Sequence, residues 1–331
     1  MSSSTEFSPL GIKLSYLQQF IEECGGEEAI KNKTTLQIRD QFIIPLTIKT
    51  GVSLCEQLKY TRSDVHVSES AWFVCHSWDS TFLDTVNILK FTLSRLRGEE
   101  ASQNLVIWFD LFSASQHLTS LRPPDWWTKV LMKGIEAIGH LVVVMCPLEN
   151  PKVFHHTNCL FEIFCAHNTK CQLEVGMKST DADLFQTILS QNREDYYHML
   201  AKIDSNASTM RIHEDKENIF TALKKLLPRL NTKNLYKTVN SIVFRALEEW
   251  MIEVVKTAIR DSANDERASI QWCMSLKQIF ETHGHDEIEE QIYIAEQVLS
   301  VSQRIYGDSD PDTLSLMNNL ALNYLHQVSN K

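Results

Sequence analysis

Ser70-Ala71-Trp72-Phe73-Val74-Cys75-His76-Ser77-Trp78-Asp79 is a short apolar run closed by polar residues, and a helical pattern follows it at once. Phe82, Val86, Leu89, Leu93 and Leu96 recur at spacings of four and three, which puts them on one stripe of a helix over Phe82–Leu96, capped by Ser80 or Asp79. A strand followed by a helix that lies on it is the repeating unit of a parallel sheet. The unit recurs downstream. Further strands are expected at Leu105–Asp110, Leu141–Cys146, Cys171–Val175 and Met210–Ile212. Helices are expected from Asp125 to Gly139, from Thr157 or Asn158, over Asp183–Met199 and over Asp215–Leu227. This pattern predicts an α/β domain over 70–230, a flavodoxin-like, doubly wound parallel sheet of five strands.

Outward from this block the grammar changes. Residues 1–69 read as a helical extension, with Leu14, Leu17, Phe20 and Ile21 on one face and Gly25-Gly26 closing the helix. Residues 231–331 read as all α, with helices over 233–283 and 286–306 and a last one opening at Asp310-Pro-Asp-Thr313. His283-Gly-His285 reads as the turn between helices.

Composition narrows the function. The chain has 331 residues, 43% hydrophobic and 22% charged, with only 10 Gly and 8 Pro, which is globular. A net charge of -10 argues against a phosphate-backbone binder, so no nucleic acid partner is expected. The apolar run Leu141–Cys146 is far too short to span a bilayer, so no membrane partner is expected either. The N-terminus lacks the basic start and apolar block of a secretory signal. Eight cysteines, none in a Cys-x-x-Cys pair, read as reduced thiols of a cytoplasmic protein.

In a doubly wound sheet, ligands bind outside the carboxyl ends of the strands where strand order reverses, here between the first and third strands of the α/β domain. No Gly-x-Gly-x-x-Gly or P-loop follows the first strand, so a conventional nucleotide cofactor is not expected. Glu162 stands out, because Cys159, Leu160, Phe161, Ile163, Phe164 and Cys165 surround it. It either occupies a narrow exposed strip near a helix N-terminus or faces the crevice as a desolvated carboxylate. His76 and Ser77 are adjacent on an extended strand and point to opposite faces, so they form no hydrolase couple. Cys159, Cys165 and Cys171 with His155, His156 and His167 match no zinc spacing, and no metal site is expected. Trp126-Trp127 reads as a pair of core and rim residues covering the sheet edge.

The segments Ala71-Trp-Phe-Val-Cys-His-Ser-Trp-Asp79, Val106-Ile-Trp-Phe-Asp110, Ala137-Ile-Gly-His-Leu-Val-Val-Val-Met145 and Asn158-Cys-Leu-Phe-Glu-Ile163 resemble the strand A, strand B, strand C and helix C signatures of a TIR (Toll/interleukin-1 receptor-like) domain. Cys159-Leu-Phe-Glu162-Ile is similar to the Trp-Cys-Leu-Asp-Glu-Leu segment whose glutamate cleaves NAD in catalytic members, with Asn158 standing where the Trp would be. The resemblance implies that Glu162 is the catalytic carboxylate, that Ser77, Trp78, Asp79 and Asp110 line the substrate, and that NAD is a substrate with no resident cofactor. It also implies a BB-type loop after Asp110 and a homo-oligomer formed through the domain. The sequence departs from the family at His76-Ser-Trp-Asp-Ser80, where Arg-Gly-Glu-Asp is common, and at Leu111-Phe-Ser-Ala-Ser-Gln-His117, which lacks the usual Gly.

Ala295 to Ala321, through Tyr306-Gly-Asp-Ser-Asp-Pro-Asp-Thr313 and Asn318-Asn-Leu-Ala321, resembles one tetratricopeptide repeat of the kinesin light chain type, within 286–331. These features together imply an intracellular signalling scaffold that meets protein partners through its C-terminal helices. An NAD glycohydrolase using Glu162 and a kinesin-light-chain-like cargo adaptor are the alternatives.

Overall fold

The computed structural model describes residues 7–61, 64–117, 122–191, 194–210, 212–262 and 288–329, with isolated positions between 265 and 279. The chain forms two compact units. One comprises 1–183 with 198–247, the other 184–197 with 248–331.

The first unit is built on a six-stranded, mostly parallel sheet. Its strands are β1 (Leu10–Lys13), β2 (Val67–Glu69), β3 (Trp72–Cys75), β4 (Val106–Trp108), β5 (His140–Val144) and β6 (Gln172–Gly176), in the order β2-β1-β4-β3-β5-β6. Four strands run parallel, with Phe73 opposite both Trp108 and Leu141, and Val142 opposite Glu174. The expected strands at 71–75, 105–110, 141–146 and 171–175 correspond to these four, shortened or shifted by a residue or two.

Two corrections follow. The sheet has six strands rather than five, because the segment expected to be helical supplies β1 and β2. These add as an antiparallel edge, Ile12 pairing with Ile107 on one side and Val67 on the other. At the other end, Met210 and Ile212 belong to no strand, residue 211 lying outside the described ones, and Thr209 makes an isolated bridge to His156. Gly11 is what lets β1 seat, since a Cβ there would collide with Ser70 Oγ and the carbonyl of Ile107.

The principal helices of this unit are α1 (Tyr16–Glu23), α2 (Leu54–Tyr60), α3 (Phe82–Arg97), α4 (Met132–Ile138), α5 (Thr157–Asn168), α6 (Ser179–Gln191), α7 (Glu194–Leu200), α8 (His213–Leu226) and α9 (Thr232–Asp261). Helices α6, α7 and α9 carry residues of both units. Period-two alternation sends Trp72 and Val74 to one face, where they join a core with Phe20 of α1 and Phe82, Val86 and Leu89 of α3. Leu96, expected on that stripe, is exposed. Phe73 and Cys75 go to the opposite face, Phe73 stacking on Trp108 at 4.7 Å.

Helix α3 is entered through Thr81, not Ser80 or Asp79; the Thr81 hydroxyl donates to Asp84 at 2.6 Å. The helix expected to open at Asp125 begins at Pro124 and passes through a π-helical turn at Trp127–Leu131 before α4. Gly139 ends α4 in the left-handed conformation, φ 76°, as its place before a strand predicts. The helix expected over 183–199 is two, α6 and α7.

The second unit contains α10 (Ile288–Tyr306) and α11 (Pro311–Ser329), joined at Gly307 with φ 84°. Asp310 accepts from the Thr313 amide at 3.2 Å, and Ser302 and Thr313 share a buried hydroxyl contact of 2.7 Å. Tyr324 donates to Glu296 across the hairpin. Elsewhere in this unit Phe185 stacks with Trp250 at 5.3 Å. The expected turn at His283-Gly-His285 lies outside the described residues. No described helix is long and apolar enough to cross a membrane.

Candidate functional site

A cavity of about 400 Å³ opens outside the carboxyl ends of β3 and β4, in the size range of small-molecule sites. The order of the parallel strands puts this position beside the reversal between β3 and β5. Most of the wall comes from segments that leave a strand. Trp78 and Asp79 follow β3, Asp110 and Ser115 follow β4, and His156, Asn158 and Glu162 belong to the entry and second turn of α5. Arg122, Trp126 and Trp127 close another side, with Thr209 and Asp215.

Glu162 lies on the cavity wall and is 8% exposed, which excludes the reading that puts it on an exposed strip. Burial, and then the nearby charge of Asp110, push its carboxyl well above the ordinary range, while hydrogen bonds from Cys75 and Asn158 act the other way. Asp110 is pushed up to about 7, chiefly by burial. Its Oδ1 is 3.6 Å from Nδ1 of His76. His76 is in turn driven down to about 3 by burial and by the neighbouring His156. Two carboxyls therefore line the cavity, with a buried imidazole behind one of them, and each of the three groups is biased towards its neutral form.

The entry of α5 is pinned. The Thr157 amide donates to the Thr209 carbonyl at 2.9 Å, the Thr209 amide to the His155 carbonyl at 2.8 Å, and the Thr157 and Ser208 hydroxyls meet at 2.8 Å. Below Glu162, Cys159 Sγ donates to the His76 carbonyl at 3.2 Å and Cys75 Sγ approaches the Cys159 carbonyl at 3.7 Å. Cys75, Cys159 and Glu162 bring possible ligand atoms within 4.8 Å of one another. Both thiols are raised, which works against the thiolate a metal requires.

Comparison with protein-family models, with curated proteins and with solved structures finds no match.

The argument for function therefore rests on the site itself. Of the residues singled out in the sequence, Glu162, Trp78, Asp79 and Asp110 meet in the cavity. Ser77 does not join them among the described residues: it is buried, and its hydroxyl accepts the Asp79 amide at 3.2 Å, which shapes the turn that presents Asp79. Asp79 pairs with His156 at 3.2 Å, and its carbonyl accepts from Lys152 at 2.7 Å. The BB-type loop expected after Asp110 contributes Ala114, Ser115 and Gln116, and residues 118–121 lie outside the described ones.

Sequence reasoning missed Arg122, Asp215 and the aromatic character of the wall. Trp127 is more than a rim residue, since it packs edge-on against Phe161 of α5 at 5.9 Å. Its Nε1 is buried with no partner, as is Asp110 Oδ1. Buried polar atoms left unpaired in a cavity are the atoms a bound molecule would satisfy. Four tryptophans, Trp78, Trp108, Trp126 and Trp127, share the wall with four carboxyl groups. Aromatic faces and carboxylates together suit a planar organic cation.

Proposed function

We propose that the cavity hydrolyses the bond between ribose and a pyridinium ring, and that the chain is an NAD glycohydrolase with Glu162 as its catalytic carboxylate. One observation carries the reading. A desolvated carboxyl forms part of a cavity walled by tryptophans and acids, at the position where doubly wound sheets bind ligands. The TIR-like strand and helix signatures, with Glu162 at the matching position, support the same reading.

The chemistry follows from charge. The nicotinamide ring of NAD is cationic, and a cation entering beside Glu162 favours the ionised carboxylate, so Glu162 releases its proton as substrate binds. The C1′–N bond then breaks with its electron pair passing to the ring nitrogen, which leaves neutral nicotinamide and a ribosyl oxocarbenium. The Glu162 carboxylate stabilises that cation, as carboxylates do in glycoside hydrolysis. Water adds at C1′ and loses a proton, first to Glu162 and then to solvent, which gives ADP-ribose.

The test is nicotinamide release from NAD by the purified chain at high concentration, beside Glu162→Gln. Release by the wild type alone supports the reading, and equal release by both, or none from either folded protein, removes it.

A second reading, a scaffold acting through protein contacts, draws on the C-terminal hairpin, where Leu314, Leu322 and Val328 of α11 are 51%, 49% and 73% exposed. The two readings are compatible, since a helical region of this kind can assemble the catalytic domain.

A further inference from the structure

Arg122 is the one arginine or lysine of the cavity wall among the described residues. Its guanidinium stacks over the Trp126 indole, 4.6 Å from the ring centroid. Its backbone is held from both sides, the amide donating to Asp215 Oδ1 at 3.0 Å and the carbonyl accepting from Asn218 at 2.9 Å. No carboxylate oxygen of a described residue comes within 4.0 Å of the guanidinium nitrogens. Asp215 is the acid that acts on it, and that carboxyl is occupied by the Arg122 amide and by Asn218.

The remaining acids of the wall are accounted for. Glu162 and Asp110 are raised towards their neutral forms, and exposed Asp79 is paired with His156. Burial works against the guanidinium's charge, so a half-buried cation without an ion-pair partner gains most from an anion that enters the cavity. A planar fork fixed on an indole face presents two parallel donors, the geometry that phosphate oxygens match.

We propose that Arg122 is the phosphate anchor of this cavity, which makes its substrates phosphorylated pyridinium ribosides, mononucleotide or dinucleotide, rather than free nucleosides. The assignment rests on the hydrolase reading for the nature of the substrate and adds the group that selects it. Trp126 supports the guanidinium from beneath, so occupancy of the anchor alters tryptophan emission.

The experiment titrates the wild type, Arg122→Gln and Arg122→Lys with nicotinamide mononucleotide, nicotinamide riboside and ADP-ribose. Tryptophan fluorescence reads binding and circular dichroism reads folding. The wild type is expected to bind the mononucleotide at least tenfold more tightly than the riboside. Arg122→Gln is expected to lose that preference, and tenfold or more of its ADP-ribose affinity, while riboside affinity stays unchanged. Arg122→Lys keeps part of the preference, because it retains charge without the fork. A wild type without the preference, or an Arg122→Gln variant that keeps it, overturns the proposal.

If Arg122→Gln fails to fold, competition on the wild type decides. Inorganic pyrophosphate displacing the mononucleotide but not the riboside supports the anchor, and equal displacement of both, or of neither, overturns it. Nicotinamide release is read separately. Phosphate preference without turnover keeps the anchor and removes the hydrolase, whereas turnover without phosphate preference does the reverse.

Discussion

Asp110 Oδ1 stands 3.6 Å from His76 Nδ1, just beyond the carboxyl ends of the adjacent strands β4 and β3, and burial drives the two groups' affinities for protons in opposite directions. Asp110, raised to about 7, contributes stability that is fully present below its unfolded value and is lost as pH climbs towards 7. His76, lowered to about 3, contributes stability that is present above about 6.5, its value in an unfolded chain, and is lost as pH falls towards 3. Between about pH 4 and 6.5 the two contributions offset each other, so this pair should give a broad plateau of thermal stability in the acid range that falls away on both sides. Asp110→Asn should lessen the fall of the upper limb, to which buried Glu162 also contributes, raising Tm by on the order of a few degrees at pH 8 relative to the wild type and changing little at pH 4. Parallel profiles for the two proteins between pH 4 and 8 would show that Asp110 is not the group responsible.

Glu162 separates chemistry from stability when two variants are compared. Near a helix N-terminus on the surface it would contribute about 0.3–1 kcal/mol, the value its sequence position implies. Buried against Cys75 and Asn158, it fills space, so Glu162→Ala should cost about 1–3 kcal/mol by denaturant unfolding. Glu162→Gln keeps the volume and removes the burden of ionising, so it should fold at least as stably at pH 8. Both should lack nicotinamide release. A Gln variant that unfolds more readily than Ala at pH 8 would contradict this account.

The pH dependence of turnover has a sign. If the cavity hydrolyses NAD as proposed, the reaction uses the ionised carboxylate, and because the free protein holds Glu162 raised, kcat/KM for NAD should rise with pH through the neutral range. A rate that falls over that range would point to Glu162 acting as a proton donor.

Gly11 tests the edge of the sheet. Gly11→Ala forces a methyl against Ser70 Oγ and the Ile107 carbonyl, and the carbonyl cannot give way without disturbing the pairing of β1 with β4. A loss of about 1–3 kcal/mol in denaturant unfolding is expected. Wild-type stability in that variant would mean that β1 is not seated as described.

The exposed face of α11 makes the opposite prediction. Leu322→Asp with Val328→Asp should shift unfolding by no more than about 0.5 kcal/mol, because both side chains are largely exposed. If this face carries protein contacts, the same pair should reduce concentration-dependent association in sedimentation.

Much of this architecture was legible because its signals are local. The apolar runs of β3 and β5 and the stripe Phe82, Val86, Leu89, Leu93 declare themselves within a few residues. β1 did not, since four residues containing a glycine carry no period, and only pairing with β2 and β4, far away in sequence, makes them a strand. Within the cavity, Glu162 was visible through its apolar neighbours. Arg122 was not, because Arg122-Pro-Pro reads as a loop until Asp215 and Asn218, more than ninety residues on, hold it in place.

The ladder between Thr157 and the Ser208-Thr209 segment also makes the cavity hostage to a stretch of which only Thr209 reaches its wall. Severing the backbone at 205–208 would free the entry of α5, and with it the orientation of Glu162, although every side chain of the cavity wall stays intact. On the proposed hydrolase reading, a single proteolytic clip at that tether would act as an off switch.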